Sequence, residues 1–191
     1  MKIKAVSKTE HGEFVMITLV GEKKALTLSD KAYRMLGEPC VGCELSDEEY
    51  SEALLADERY RALKKALNIL SFGDNSQRKL YEKLRRGGFS AETSRSTVED
   101  MCELGYLNEQ KQIERIVSTL ANNSLYGPKR ITAKLIGCGY SSSDVRRAIS
   151  ELSHLGEIDF DSSLERLVDK HLGDSYDAEA LIKLKYKYGY K

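Results

Sequence analysis

Three phrases of the chain echo one another: KLRRGGFS at 83–90, KLIGCGYS at 134–141 and KLKYKYGYK at 183–191. Gly88 and Gly139 stand 51 residues apart, and Gly139 and Gly189 stand 50 apart. A second feature keeps the same step. Seventeen residues after Gly88 comes Leu104-Gly105-Tyr106-Leu107-Asn108, and seventeen after Gly139 comes Leu155-Gly156-Glu157-Ile158-Asp159. Two features at one spacing define a tandem repeat, so the chain is expected to build its core from stacked small units.

Each unit reads as three helices. The first helix carries an apolar stripe at three- and four-residue steps: Tyr60, Leu63, Leu67 and Leu70 in unit one, Ile113, Ile116, Val117 and Leu120 in unit two, and Leu164, Leu167, Val168 and Leu172 in unit three. Asn108 is placed to cap the second of these helices, and Ser162-x-x-Glu165 has the form of a capping box. The second helix is short, with Leu80 and Leu84, then Ile131 and Leu135, as its apolar edge. Ser76 can cap the first copy, and Pro128 suits the first turn of the next. The glycine of each phrase can take the left-handed conformation that ends a helix. Phe89 or Tyr140 then folds back on the apolar face, and Ser90 or Ser141 starts the third helix. Val98, Met101 and Cys102 line that helix in unit one, and Val145, Ala148, Ile149 and Leu152 in unit two. Gly105 and Gly156 close it. Unit three reads as shortened, and it has one extra residue between Lys183-Leu184 and Gly189.

Residues 1–56 differ in kind. KIKAVSK and FVMITLVG, joined through His11-Gly12, predict a β-hairpin, with KKALTLS as a third strand and DKAYRMLG as a turn or two of helix. The stretch 44–58 holds seven acids and no Lys or Arg, and reads as an acidic linker into the first unit. The expected organisation is a β-rich extension and linker at 1–56, then repeats at 57–108, 109–159 and 160–191.

Chemistry-bearing motifs are few. The histidines are His11, His154 and His171, and none belongs to H-E-x-x-H. A phosphate-binding G-x-x-x-x-G-K-[ST] loop and a G-x-S-x-G elbow are both missing. His154 and His171 fall near predicted helix C-termini, where a cation is favoured. The chain is therefore read as a non-enzyme with no cofactor and no metal. Cys40-x-x-Cys43 supplies only half of a structural zinc set and reads as part of a linker turn, with a redox- or metal-linked regulator using the pair as a third and weaker reading. No apolar run approaches the length of a membrane span, and MKIKAVSK lacks the apolar region of a secretory signal. A cytoplasmic monomer is expected.

What stands out is basic charge at matching places. Lys79, Lys83, Arg85 and Arg86 surround the second helix of unit one. Lys129, Arg130 and Lys134 hold the same place in unit two, with Arg146 and Arg147 on the helix that follows. Lys183, Lys185 and Lys187 alternate with Tyr186, Tyr188 and Tyr190 in unit three. Any one of these can simply solvate the outer face of an amphipathic helix. Recurrence in register points instead to a stripe that meets phosphates or an acidic protein surface, with tyrosines able to stack on bases.

The ordered set of motifs resembles the RecX family of bacterial recombination regulators. Its strongest part is Tyr126-Gly127-Pro128-Lys129-Arg130-Ile131-x-x-Lys134-Leu135 with Gly139-Tyr140. Ser76-x-x-Lys79-Leu80-x-x-Lys83-Leu84 with Gly88-Phe89 and Leu104-Gly105-Tyr106-Leu107-Asn108 adds to it. The likeness covers essentially the whole chain. It implies a mainly α protein of tandem three-helix repeats in an elongated curved array, preceded here by a small β-hairpin or three-strand extension. It further implies a modulator of the RecA recombinase that lies in the groove of the RecA–single-stranded DNA filament and inhibits its ATPase and strand exchange, in DNA repair and the SOS response. Family members usually carry a complete third unit, and this chain departs from them there. Direct binding to single- or double-stranded DNA is the second expectation, and a stand-alone DNA-binding helical module without RecA-directed activity is the alternative.

Overall fold

A computed structural model of the chain describes residues 1–9, 13–173 and 175–190. Its elements are β1 (Ile3–Lys8), β2 (Phe14–Leu19), β3 (Leu26–Ser29), α1 (Asp30–Met35), α2 (Asp47–Ser71), α3 (Gln77–Arg86), α4 (Ala91–Glu103), α5 (Glu109–Asn122), α6 (Pro128–Gly137), α7 (Ser142–His154), α8 (Phe160–His171) and α9 (Ala178–Tyr188). The mainly α expectation, with a small antiparallel sheet in front, is what the structure shows. The chain groups into two compact units, one of Met1–Phe72 with Lys83–Met101, the other of Gly73–Glu82 with Cys102–Lys191.

In the first unit the strands pair antiparallel in the order β1-β2-β3, with Val6 opposite Ile17 and Val15 opposite Leu28. Alternate residues of β2 (Val15, Ile17 and Leu19) point into the core while Met16 faces outward, as period-2 side-chain geometry requires. Leu26, Leu28, Tyr33, Leu36, Leu45 and Ala53 close that core. The expected His11-Gly12 turn lies outside the described residues.

The acidic stretch is not a linker. Helix α2 runs without a break from Asp47 to Ser71. Ser46 and Glu49 form a reciprocal capping box at its start, and Asp47, Glu48 and Glu49 place negative charge on the positive end of the helix dipole. The buried line of α2 also differs from the expected one. Ala53, Ala62 and Ala66 are fully buried, while Tyr60, Leu63, Leu67 and Leu70 are only half-buried on the flank. Small side chains let the helix axis sit close to what it covers. Asp57 is buried with them and ties α2 to the sheet: it accepts the Thr27 N–H at 2.9 Å and the Arg61 guanidinium at 2.7 Å.

The second unit has a core of Ile113, Val117, Leu120, Ile131, Leu135, Tyr140, Val145, Ala148, Leu152 and Ile158, contributed by α5, α6, α7 and the segment after α7. Leu125, Leu167, Val168, Leu184 and Tyr190 form a further cluster around α8 and α9. Phe160 packs against both. Capping is mostly as read: Ser76, Ser90 and Asn108 each accept a backbone N–H three residues on. Two expectations fail. Ser141 makes no capping bond, because its hydroxyl is engaged with that of Ser143. Helix α8 starts at Phe160 under Asp159, which accepts from Asp161 and Ser162, so Ser162 lies inside the first turn and is no cap.

The repeated phrase has a structural purpose within this unit. The first N–H groups of a helix and its last carbonyls have no partners inside the helix. Here the end of one short helix supplies the start of another. Gly127 N–H, at the start of α6, donates to the Tyr188 carbonyl at 2.8 Å, and Lys129 N–H donates to the Gly189 carbonyl at 3.2 Å. Opposite ends of two helix dipoles thereby meet. The approach requires glycine on both sides. A Cβ on Gly127 would lie 2.5 Å from the Gly189 oxygen, and one on Gly189 would collide with the Arg130 backbone nitrogen. The joint between α6 and α3 is built alike. Ser76 Oγ donates to the Cys138 carbonyl at 2.9 Å, and a Cβ on Gly139 would lie 2.6 Å from that Oγ. The second helices α9, α6 and α3 thus follow one another C-terminus to N-terminus.

Gly189 and Gly105 both have positive φ, +83° and +76°, but a Cβ would meet other atoms within 4 Å at Gly189 and open space at Gly105. Gly105→Ala is expected to cost about 1 kcal/mol from backbone strain alone, and Gly189→Ala more than about 2 kcal/mol because the helix joint must open. Urea unfolding of the two variants checks this, and equal losses would sink the account. Tyr190 gives a second expectation. Its hydroxyl donates to the Leu125 carbonyl at 3.1 Å, and burial pushes its phenol up to about 12 from 10.0. A raised folded-state value means the contribution is fully present below the ordinary value and is lost as pH climbs toward the folded one. Tyr190→Phe should therefore cost about 1 kcal/mol at neutral pH and show a shallower fall in stability between those two values. Parallel falls in both proteins would refute it.

Candidate interface for an anionic partner

The helix-to-helix row gathers most of the basic residues singled out in the sequence. Seven of the twelve lie on it within the second unit: Lys79 on α3, Lys129, Arg130 and Lys134 on α6, and Lys183, Lys185 and Lys187 on α9, while Lys83, Arg85 and Arg86 belong to the first unit. Against them these three helices carry only Glu82 and Glu179 as acids. Arg146 and Arg147 sit apart on α7, exposed, with Arg147 bonded to Asp144 at 2.9 Å.

Individual surroundings differ. Arg130 is half-buried at the α6–α9 joint. Its guanidinium donates to the Lys187 carbonyl and lies 4.3 Å from the centroid of the Tyr126 ring and 5.5 Å from that of Tyr188. Lys134 Nζ approaches the same Tyr126 ring at 5.5 Å, and Lys187 Nζ stands 5.7 Å from Tyr188. These three cations and two rings form one cation–π cluster. Lys183 pairs with Glu179, one turn before it on the same helix, and Lys129 is exposed. Lys79 is half-buried, its Cγ close to Gly139. Lys83, Arg85 and Arg86 occupy the last turn of α3, where cations answer the negative end of the helix dipole. The Arg85 guanidinium also donates to the Phe89 carbonyl.

The tyrosines divide. Tyr190 and Tyr140 are buried packing residues, and Tyr140 donates to Gln112 Oε1 at 2.9 Å. Burial first, then the Glu109 charge, pushes the Tyr140 phenol up to about 12. Tyr188 is half-buried and its hydroxyl lies 3.0 Å from His171 Nε2, so that histidine has a local partner at the end of α8. Only Tyr186 of the three C-terminal tyrosines is open, at 87% exposure. Beside the row, Glu109 accepts the Gln77 N–H at the start of α3 at 2.7 Å. Burial pushes its carboxyl up, against the pull of that hydrogen bond.

Sequence reasoning missed one feature. Phe72, the residue that ends α2, is 85% exposed. It borders a hollow of about 530 Å³ in the first unit, lined by Lys65, Asn68, Ile69, Phe72, Lys83, Arg86 and Gly87. Three cations, an open aromatic face and no acid make a surface suited to a stacked base between phosphates. The available signal was an aromatic residue directly before the turn-forming Gly-Asp-Asn-Ser run. Among the described residues no group of three or more His, Cys, Asp or Glu could hold a metal. No helix among them is long and apolar enough to cross a membrane.

Comparison with known proteins follows the same lines. No protein-family model matches the chain. Regulatory protein RecX of Clostridioides difficile is 35% identical over 112 residues, covering 58% of this chain and 52% of the relative. Regulatory protein RecX of Photobacterium profundum is 31% identical over 107 residues, covering 56% and 39%. Regulatory protein RecX of Listeria monocytogenes is 22% identical over 162 residues, covering 83% and 59%. The chain thus spans roughly half the length of the curated relatives it matches. A crystal structure of a regulatory protein RecX shares the fold, with a TM-score of 0.72 at 18% identity over 98% of this chain and 92% of that one. The chain is thus similar to proteins named regulatory protein RecX over part of its sequence, and it shares the fold of one of them along nearly its whole length.

Proposed function

We propose that the chain is a non-enzymatic regulator that binds the groove of the RecA–single-stranded DNA filament and inhibits the ATPase and strand exchange of RecA, acting in DNA repair and the SOS response. The similarity to proteins named regulatory protein RecX supports the regulatory class. The observation that carries the partner is the basic row of the second unit, where Arg78, Lys79, Lys129, Arg130, Lys134, Lys183, Lys185 and Lys187 face only Glu82 and Glu179 as acids on the same helices. The chain as a whole has no net charge, 30 basic residues balancing 30 acidic ones. Attraction to an anionic partner must therefore come from how charge is placed rather than from its total. In this reading the repeats at 57–108, 109–159 and 160–191 are successive docking units behind the 1–56 extension. The molecule works as a cytoplasmic monomer. Each unit makes weak contacts, and linking them raises affinity through effective concentration.

A second reading rests on the hollow beside Phe72. An exposed ring among Lys65, Lys83 and Arg86 is suited to single-stranded DNA without any help from RecA. One titration separates the two. RecA's DNA-dependent ATPase is followed as the protein is added, with binding to naked DNA measured at the same salt. Inhibition at amounts too low to coat the DNA supports the filament reading. Tight, salt-sensitive DNA binding with an unchanged ATPase supports the stand-alone module. Reversing Lys83, Arg85 and Arg86 together should weaken inhibition at least tenfold, and more than any single reversal. Phe72→Ala should weaken naked-DNA binding by about 1–3 kcal/mol while leaving its salt slope unchanged. Intact inhibition in the triple variant would put the interface on another face.

A further inference from the structure

The loop between α1 and α2 holds a second kind of chemistry. Cys40, Val41, Gly42 and Cys43 form a β-turn closed by the Cys43 N–H donating to the Cys40 carbonyl at 3.1 Å. Gly42 has φ of +89°, which suits the third position of such a turn. A β-turn holds its end residues within about 7 Å between Cα atoms, close to the span of a disulfide. The turn is also pinned from outside. Gly42 N–H donates to the Ile3 carbonyl at 3.0 Å, Ile3 N–H donates to the Cys43 carbonyl at 2.9 Å, and Lys2 bridges to Glu44. Ile3 and Leu45, on either side, are buried in the core. Reading this segment as a linker turn therefore missed that it is bound along β1.

Within this frame the two sulfur atoms lie 2.8 Å apart. Cys40 is exposed, Cys43 is half-buried, and both are thiols. Two thiolates are half of a tetrahedral zinc set, and no third metal-binding side chain joins them among the described residues. The chemistry the pair can perform alone is with each other.

We propose that Cys40 and Cys43 are a reversible dithiol–disulfide site that exchanges with small-molecule disulfides such as glutathione disulfide. The Cys40 thiolate attacks one sulfur of the small disulfide. A bond forms between them, the original S–S bond breaks, and half of the reagent leaves as a thiolate. The Cys43 thiolate then attacks Cys40 Sγ, forming the internal disulfide and expelling the other half. The protein gives up two electrons, the two cysteine protons pass to the leaving thiolates, and the small disulfide becomes two thiols. Cys40 is the entry point because it is open to solvent. Its hydrogen bond with Cys43, and then the Cys43 charge, push the Cys40 thiol up, so exchange runs faster as pH rises. Oxidation asks little of the backbone, because the turn already holds both sulfurs together.

The test uses the full chain. Protein is incubated with glutathione disulfide, remaining thiols are blocked with iodoacetamide, and intact mass and peptide maps are recorded. The expected product has lost two hydrogens, links Cys40 to Cys43, and carries alkylated Cys102 and Cys138. Dithiothreitol should restore four alkylatable thiols. Cys43→Ser should stop at a stable glutathione adduct on Cys40, the intermediate that a resolving thiol would otherwise consume. Circular dichroism checks that this variant folds, and if it does not, the wild-type peptide map decides alone. Four alkylated cysteines after oxidation, a persistent wild-type adduct, or a disulfide through Cys102 or Cys138 would each overturn the proposal.

Discussion

The contact between the end of one short helix and the start of the next governs the second unit. At the α6–α9 joint, Gly127 and Gly189 let backbone touch backbone, so unpaired N–H groups meet unpaired carbonyls directly. A side chain at either position would occupy the space of the hydrogen bonds. This explains the glycines at 139 and 189, whereas at Gly88 a Cβ would meet open space and only the φ of +90° calls for glycine. The aromatic residue after the glycine explains the rest of the phrase. Tyr140 and Tyr190 turn into the core just past the joint and bond to Gln112 and Leu125. Glycine makes the close approach possible, and the aromatic anchors it.

The same joints decide where charge can stand. A helix that ends against another helix buries its axis ends but leaves its outer face open, and the basic residues occupy that face and the last turns. Part of their purpose is internal. Arg130 bonds across the joint and lies over two tyrosine rings, so it holds α6 to α9. Removing it would weaken the scaffold and any partner contact together. Lys129 is exposed one residue earlier and takes part in the joint through its backbone N–H, so its ammonium is the cleaner probe of recognition.

Much of this organisation was legible in the sequence because it depends on spacing. The period marked the helices, Ser76, Asn108 and Pro128 marked three starts, and the left-handed glycines marked the ends. What escaped depends on tertiary choice. In α2 the leucine stripe looked like the core face, but Ala53, Ala62 and Ala66 face inward because a close-packed helix favours small residues over large ones. A run of acids looked like a linker because charge density and helix initiation share one composition. The capping box Ser46–Glu49 was the discriminating detail. Ser162 and Asp159 offered competing starts for α8, and the carboxylate won by reaching two backbone N–H groups.

Phe72 shows where pattern reading stops altogether. In a periodic helix an aromatic residue is assigned to the core by its type, since burying a ring is worth several times what burying a methyl group is. Phe72 stands one residue past the last turn of α2, where the chain direction changes and periodicity no longer predicts which way a side chain points. Phe72 is 85% exposed. Lys65, Lys83 and Arg86 stand beside it, and in the single-stranded DNA reading they would meet phosphates while the ring meets a base. No motif announced this corner of the first unit, because neither exposure nor the neighbours of a residue beyond a helix end follow from spacing.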